Sequence, residues 1–226
     1  MLVLSLDSSS IASAALTRNG EVLAEFATQD TRSHAEALAP AVYNLLGQAD
    51  VEPSQLKAIL VGTGPGPFTG LRAGLVSGRT FGFAWNLPVY GLCSLDALAH
   101  RAAQGTTERT EFLVATDARR KELYWGRYEV HEDGHGRFAR SVDGPQVTAP
   151  GELPKLPVYG SGAGRYADQL PHTVADSTDW QPTAADLSRA AWALQERGTD
   201  LSTDTSPLYL RESDAKVPVQ RKKALR

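Results

Sequence analysis

The chain has 226 residues, 42% hydrophobic and 22% charged, with a formal net charge of -3 at pH 7. That length allows one large domain or two lobes with a real core, and the slight negative charge argues against a mainly electrostatic nucleic-acid binder. Cys93 is the only cysteine, so an intrachain disulfide is excluded and a reducing compartment fits best. The opening Met1–Asp7 stretch has no basic region, and Asp7 interrupts its apolar run, so no signal peptide is expected. No apolar run reaches transmembrane length, and the reading is a cytoplasmic protein without a membrane partner.

Leu2 to Leu6 reads as a strand and Asp7-Ser8-Ser9-Ser10 as a turn. Ile11 to Thr17 and Glu21 to Ala27 read as two further strands, joined by the strong hairpin signal Asn19-Gly20. Ser33, with Glu36 three residues on, makes a capping box for a helix. Ala35, Leu38, Val42 and Leu45 are expected against the sheet, with Ala37 and Ala41 roughly opposite. Pro40 implies a kink. Leu56 to Val61 is the next strand, Leu71 to Trp85 a helix, Val89 to Cys93 a strand, and Ser94 caps a helix to about Ala103. Three meander strands followed by strand, helix, strand and helix predict a mixed sheet with helices on its faces. That is the ribonuclease-H-like half of the actin, hexokinase and Hsp70 architecture, so the expected class is α/β and two-lobed.

The turn Gly62-Thr63-Gly64-Pro65-Gly66-Pro67 lies between the strand and the first glycine-rich helix. It fits neither the dinucleotide fingerprint nor the P-loop, because Pro67 replaces a glycine and no Lys-Ser or Lys-Thr follows. Its prolines also remove N–H groups that a phosphate cradle uses, which leaves a rigid turn launching a buried helix. On that helix Gly74, Gly78 and Gly82 form one ridge. Each costs about 1 kcal/mol of propensity relative to Ala, so another backbone is expected to pack close. The helix is apolar nearly all round apart from Arg72 and Arg79, which asks for a sheet on one side and a second helix or a partner protein on the other.

The polar stretch 104–110 is the expected lobe boundary, giving residues 1–104 and 105–226. Glu111 to Thr116, the alternating Glu122 to Val130 and Val158 to Gly160 read as strands, and Thr183 starts a helix to about Arg197. This half reads as a degenerate repeat of the first. Asp7 with Ser8 and Ser9, Asp117, and the turn with Gly160 and Gly162 are candidates for weak nucleotide contact, since Asp after a first strand can hold Mg²⁺-phosphate through water; the same residues also simply make good turns. The basic Arg119-Arg120-Lys121 following Asp117 reads as a solvated turn. His131-Glu132-Asp133-Gly134-His135 matches a zinc-protease pattern, but it follows a strand and holds Asp-Gly, which is hairpin context. His34 at a helix start reads as a surface or interface residue, His100 and His172 carry no motif, and Cys93 reads as a core thiol. The tail Lys216–Arg226 has five basic residues and no acidic one; it is expected to be poorly ordered.

Gly64-Pro65-Gly66-Pro67-Phe68-Thr69-Gly70-Leu71-Arg72 resembles the glycine motif of the bacterial TsaB family, with Pro67 where serine is usual. Asp7-Ser8-Ser9, Ser33-His34-Ala35-Glu36, Asp117-Ala118-Arg119, Gly160-Ser161-Gly162-Ala163 and Pro207-Leu208-Tyr209-Leu210-Arg211 match in order along nearly the whole chain. The resemblance implies the two-lobed fold and a place in the machinery that makes threonylcarbamoyladenosine in tRNA. Where the catalytic relative TsaD carries two metal-binding histidines four residues apart, this chain has Ser94 and Leu98. The resemblance therefore implies a catalytically silent subunit that needs no metal or cofactor, pairs with TsaD, works with the ATPase TsaE and meets tRNA indirectly. The expected partner face holds His34, Ala37, Ala41, Arg72, Gly74 and Gly78, with a homodimer through it as fallback. A small-molecule kinase of the same architecture, with tight ATP binding, and a metallopeptidase are the alternatives.

Overall fold

The computed structural model describes residues 1–28, 34–106 and 110–211, without the side chains of His34 and Ala35. The Ser33 cap, the side chain of His34 and the basic tail therefore lie outside the described residues. Strands β1 (Leu2–Asp7), β2 (Ser13–Arg18) and β3 (Glu21–Ala27) form an antiparallel meander. The turn from β2 to β3 uses Asn19 and Gly20, both at positive φ (52° and 79°), as a two-residue hairpin requires. Helix α1 (His34–Gln48) leads to β4 (Ala58–Gly62), then α2 (Phe68–Trp85) and β5 (Val89–Leu92). The first sheet runs β3-β2-β1-β4-β5, with β4 parallel to both β1 and β5.

After α3 (Ser94–Gly105), strands β6 (Glu111–Arg119), β7 (Glu122–Asp133) and β8 (Gly136–Thr148) repeat the meander, and the short β9 (Val158–Tyr159) lies parallel to β6. The second sheet runs β8-β7-β6-β9, the same order without a fifth strand. Helices α4 (Ser161–Arg165) and α5 (Ala184–Glu196) complete the chain's regular elements among the described residues. Two mixed sheets flanked by helices bear out the α/β expectation.

Strand alternation divides the first sheet's faces. Leu4, Leu6, Leu16, Ile59 and Val61 pack under α1 and α2 with Leu38, Val42, Leu71 and Leu75. On the other face Ala15 meets Ala184 and Ala185 of α5, Leu60 meets Leu187 and Ala191, and Ser5 Oγ lies 2.5 Å from Ser188 Oγ. Helix α3 turns Leu95, Leu98, Ala99 and Ala102 onto Phe112, Val114, Tyr128 and Val130 of the second sheet. The two halves of the chain thus exchange helices: α5 covers the first sheet and α3 the second.

Two expectations about the helices are corrected. The glycine ridge of α2 faces its own sheet: a Cβ on Gly78 would overlap Val61, and one on Gly82 would overlap Val89. Gly74 donates its N–H to Ser8 Oγ at 2.8 Å and has no room for a side chain beside it. Gly74 and Gly78 are therefore buried by this chain, and no partner is needed to explain them. Ala41 is buried at 4% exposure; with the half-buried Ala37 it lines a groove against Glu25 and Phe26 of β3. A 15-residue helix lying between α2 and β3 turns more than one stripe inward, so Ala41 is not on a free face.

The last described segment, Ser202–Arg211, straps across the molecule. Gly91 N donates to Ser202 O and Leu208 N to Thr63 O, each at 2.8 Å. Arg79 Nε donates to Thr205 Oγ1 at 2.8 Å and Arg72 Nε to Tyr209 Oη at 2.7 Å. Arg211 Nη1 then reaches Ala118 O of the second sheet at 2.9 Å.

Candidate functional site

Asp7 ends β1 and is fully buried. Its Oδ1 accepts from Ser9 N at 2.8 Å and Ser9 Oγ at 2.7 Å, and its Oδ2 accepts from Ser94 Oγ at 2.5 Å. Burial pushes its carboxyl above the usual range, against those hydrogen bonds. The glycine turn explains the enclosure: a Cβ on Gly62 would overlap the Asp7 carboxylate, and one on Gly66 the backbone of Ser9. Ser8 Oγ donates to Gly70 O at 2.7 Å. With both oxygens occupied and no exposed surface, Asp7 does not fit a water-bridged Mg²⁺-phosphate in this arrangement.

Asp117 is more open. Its Oδ1 accepts from Arg119 N at 2.9 Å, and its Oδ2 lies 3.5 Å from Arg165 Nε. Gly160, at φ 104°, and Gly162 press on Ala115 and Thr116 of β6, immediately before Asp117. The structure thus groups Asp7, Ser8 and Ser9 with the glycine turn, and Asp117 with Gly160 and Gly162. Both groups hang on adjacent residues: Ser10 Oγ donates to Gln181, and Ser161 N donates to Trp180 O at 2.8 Å.

Ser94 and Leu98 are both at 0% exposure, one bonded to Asp7 and the other in the second core. His131 lies on β7, 3.0 Å from Glu129 Oε2, and His135 sits in the turn after it, so the zinc-protease pattern falls on a hairpin. Among the described residues no group of three His, Cys, Asp or Glu side chains gathers as a metal site. Burial raises the Cys93 thiol well above its ordinary pKa, with Asp96 adding to it, which suits a core thiol.

On the outer side of α1 and α2 the picture reverses. Tyr43, Val76 and Phe83 are 61%, 60% and 91% exposed. Val76, Thr80 and Phe83 follow one another at helical spacing, opposite the glycine ridge. Tyr43 meets the edge of Phe81 at 6.3 Å, which joins the two helices into one face. Arg72, also expected there, is exposed but engaged by the strap, its guanidinium 5.8 Å and 5.5 Å from the Phe68 and Tyr209 rings. Sequence reasoning chose the small residues of these helices; the useful signal was the large apolar residues at 76 and 83, spaced away from the glycines. No described helix is long and apolar enough to cross a membrane.

Two meander-plus-parallel sheets with a closed aspartate loop in one define a two-lobed protein of the ribonuclease-H-like class. The family model described as TsaD, tRNA N6-adenosine threonylcarbamoyltransferase, matches residues 21–215. YeaZ from Pseudomonas aeruginosa superposes with a TM-score of 0.74 at 30% identity, over 92% of this chain and 99% of that one. An uncharacterized protein of Mycobacterium tuberculosis is 41% identical over 197 residues, covering 86% of this chain and 83% of that one. The tRNA threonylcarbamoyladenosine biosynthesis protein TsaB of Escherichia coli is 28% identical over 226 residues, 95% of this chain and 96% of that one. The chain belongs to the TsaB/YeaZ family.

Proposed function

We propose that this chain is a non-catalytic subunit that seats a TsaD-like partner on the α1–α2 face and supports transfer of threonylcarbamoyl to the tRNA adenosine beside the anticodon. The observation that carries the reading is the exposed trio Tyr43, Val76 and Phe83 on one helix pair. Large apolar side chains gathered on one face suit a protein interface, and helix pairs meet with axes about 8–10 Å apart. Without TsaD the same face supports a homodimer. A TsaE-like ATPase joins the pair, and tRNA is met through the assembly.

The packed positions of Ser94 and Leu98 favour a silent subunit that requires no cofactor. A weak contact with ATP-Mg or ADP-Mg would fall to Asp117, Gly160 and Gly162 rather than to the enclosed Asp7. The kinase alternative demands tight nucleotide binding, which isothermal titration with ATP-Mg²⁺ detects directly.

Size-exclusion chromatography of wild type and Phe83→Asp, each mixed with TsaD from the same genome, tests the face. Phe83 is nearly free in the isolated chain, so the variant keeps its circular dichroism. Loss of the complex is expected, because an unpaired charge in an interface costs several kcal/mol, on the order of 3–5. Wild-type pairing by the folded variant sinks the assignment.

A further inference from the structure

The β6–β7 connection breaks a local rule. Arg119 pairs with Glu122, so Arg120 and Lys121 are the two corner residues, at φ 55° and 63°, with Arg119 at 62° before them. Two positive-φ corner residues select Asn-Gly, and this chain uses that pair at Asn19-Gly20, its other tight hairpin turn of this kind. Three consecutive long cationic side chains in the left-handed region are disfavoured and persist only where the surroundings hold them. Here they are held: Asp117 accepts from Arg119 N, while Arg211 bonds Ala118 O and pairs with Glu122.

The braced corner is also basic. Arg119, Arg120, Lys121, Arg165 and Arg211 gather around Asp117 and Glu122, five cations to two anions in a chain of net charge -3. Arg119 and Lys121 are exposed, and neither side chain has an ion pair or hydrogen bond among the described residues. Ala118 and Leu123 are buried at 3% and 0%, so the tip offers no apolar side chain of its own to a membrane surface.

We infer that the Arg119-Arg120-Lys121 corner is a docking point for the phosphate backbone of RNA; that the RNA is tRNA rests on the function proposed above. Fixed cations on a rigid corner position a phosphodiester chain, while sequence is read elsewhere. The negative charge of the whole chain makes this a local, salt-sensitive contact.

Fluorescence anisotropy of labelled tRNA with the full chain, from about 30 to about 200 mM salt, decides it. Wild type is expected to bind at the low-salt end and weaken as salt rises. Arg119→Glu/Lys121→Glu should weaken binding about tenfold or more and flatten the log–log salt dependence by about 1–2 units. Lys121→Gly suits the left-handed corner and keeps the hairpin; it should weaken binding severalfold with unchanged circular dichroism. No tRNA binding by wild type at low salt, or unchanged affinity and slope in the double variant, overturns the inference. Either failure leaves the TsaD-pairing test untouched, because no substitution lies on the α1–α2 face.

Discussion

Asp7 and Asp117 stand on matching strands of the two sheets, β1 and β6, each the strand that joins the meander to a parallel neighbour. Each accepts with Oδ1 from the backbone N–H two residues on, at 2.8 Å and 2.9 Å. There the likeness stops. Around Asp7 the glycine turn and the start of α3 close completely, and the second oxygen meets a serine hydroxyl. Around Asp117 the second oxygen meets an arginine whose side chain is 64% exposed. One local turn therefore serves as a packed core element in the first lobe and as a charged surface element in the second. The surroundings, not the Asp, assign the role.

The largest test of the contrast is to separate the lobes. Residues 1–104 expressed alone lack α5, which covers Ala15, Leu60 and Ser5, so this fragment should show no cooperative thermal unfolding; a cooperative transition would mean that the first lobe stands without its exchanged helix. Next, Gly62→Ala drives a methyl into the Asp7 carboxylate and should cost about 3 kcal/mol or more in urea unfolding.

Smaller effects compare the two aspartates directly. Asp7→Ala strips buried Ser9 and Ser94 of their acceptor and should cost about 2 kcal/mol. Asp117→Ala, at a surface ion pair, should cost less than about 1 kcal/mol; equal losses in chemical denaturation would erase the distinction. A pH effect separates from these at Asp96, whose carboxyl is raised from 3.8 to about 6 by burial, against the hydrogen bond from Tyr128. The folded chain then keeps a proton that the unfolded chain has released, so this group's contribution to stability is full below the unfolded pKa and is lost as pH rises through about 6. Asp96→Asn keeps an acceptor for Tyr128 and should flatten the decline in urea midpoints across that window.

The period-two runs and Asn19-Gly20 made the first meander legible, and Thr183 does cap α5, accepting from Asp186 N. The glycine turn was legible as a strand-to-helix corner, though α2 begins at Phe68, three residues before the apolar pattern starts at Leu71. What the glycines pack against was not legible, because a ridge without side chains fits a sheet as well as a partner helix. Ala41 misled for the same reason: its small size says only that something is close. The closure around Asp7 depends on Ser94, 87 positions away, and no local pattern carries such a distance. Arg119-Arg120-Lys121 was legible as a turn, but not its left-handed backbone, because the residues contradict the turn type that they form.

The exchange of helices also sets an order of events during synthesis. β1 leaves the ribosome first, yet the layer that covers its second face ends at Glu196. At about 5–20 residues per second, the nascent chain carries a half-covered sheet through most of its elongation. Contacts that join the first strands to nearly the last helix also slow folding after release. A chaperone that reads exposed apolar strands therefore has a long window on Val3, Leu60 and Tyr90, whose cover includes Leu187 and Ala191, and the commitment of the first lobe waits on the end of the second.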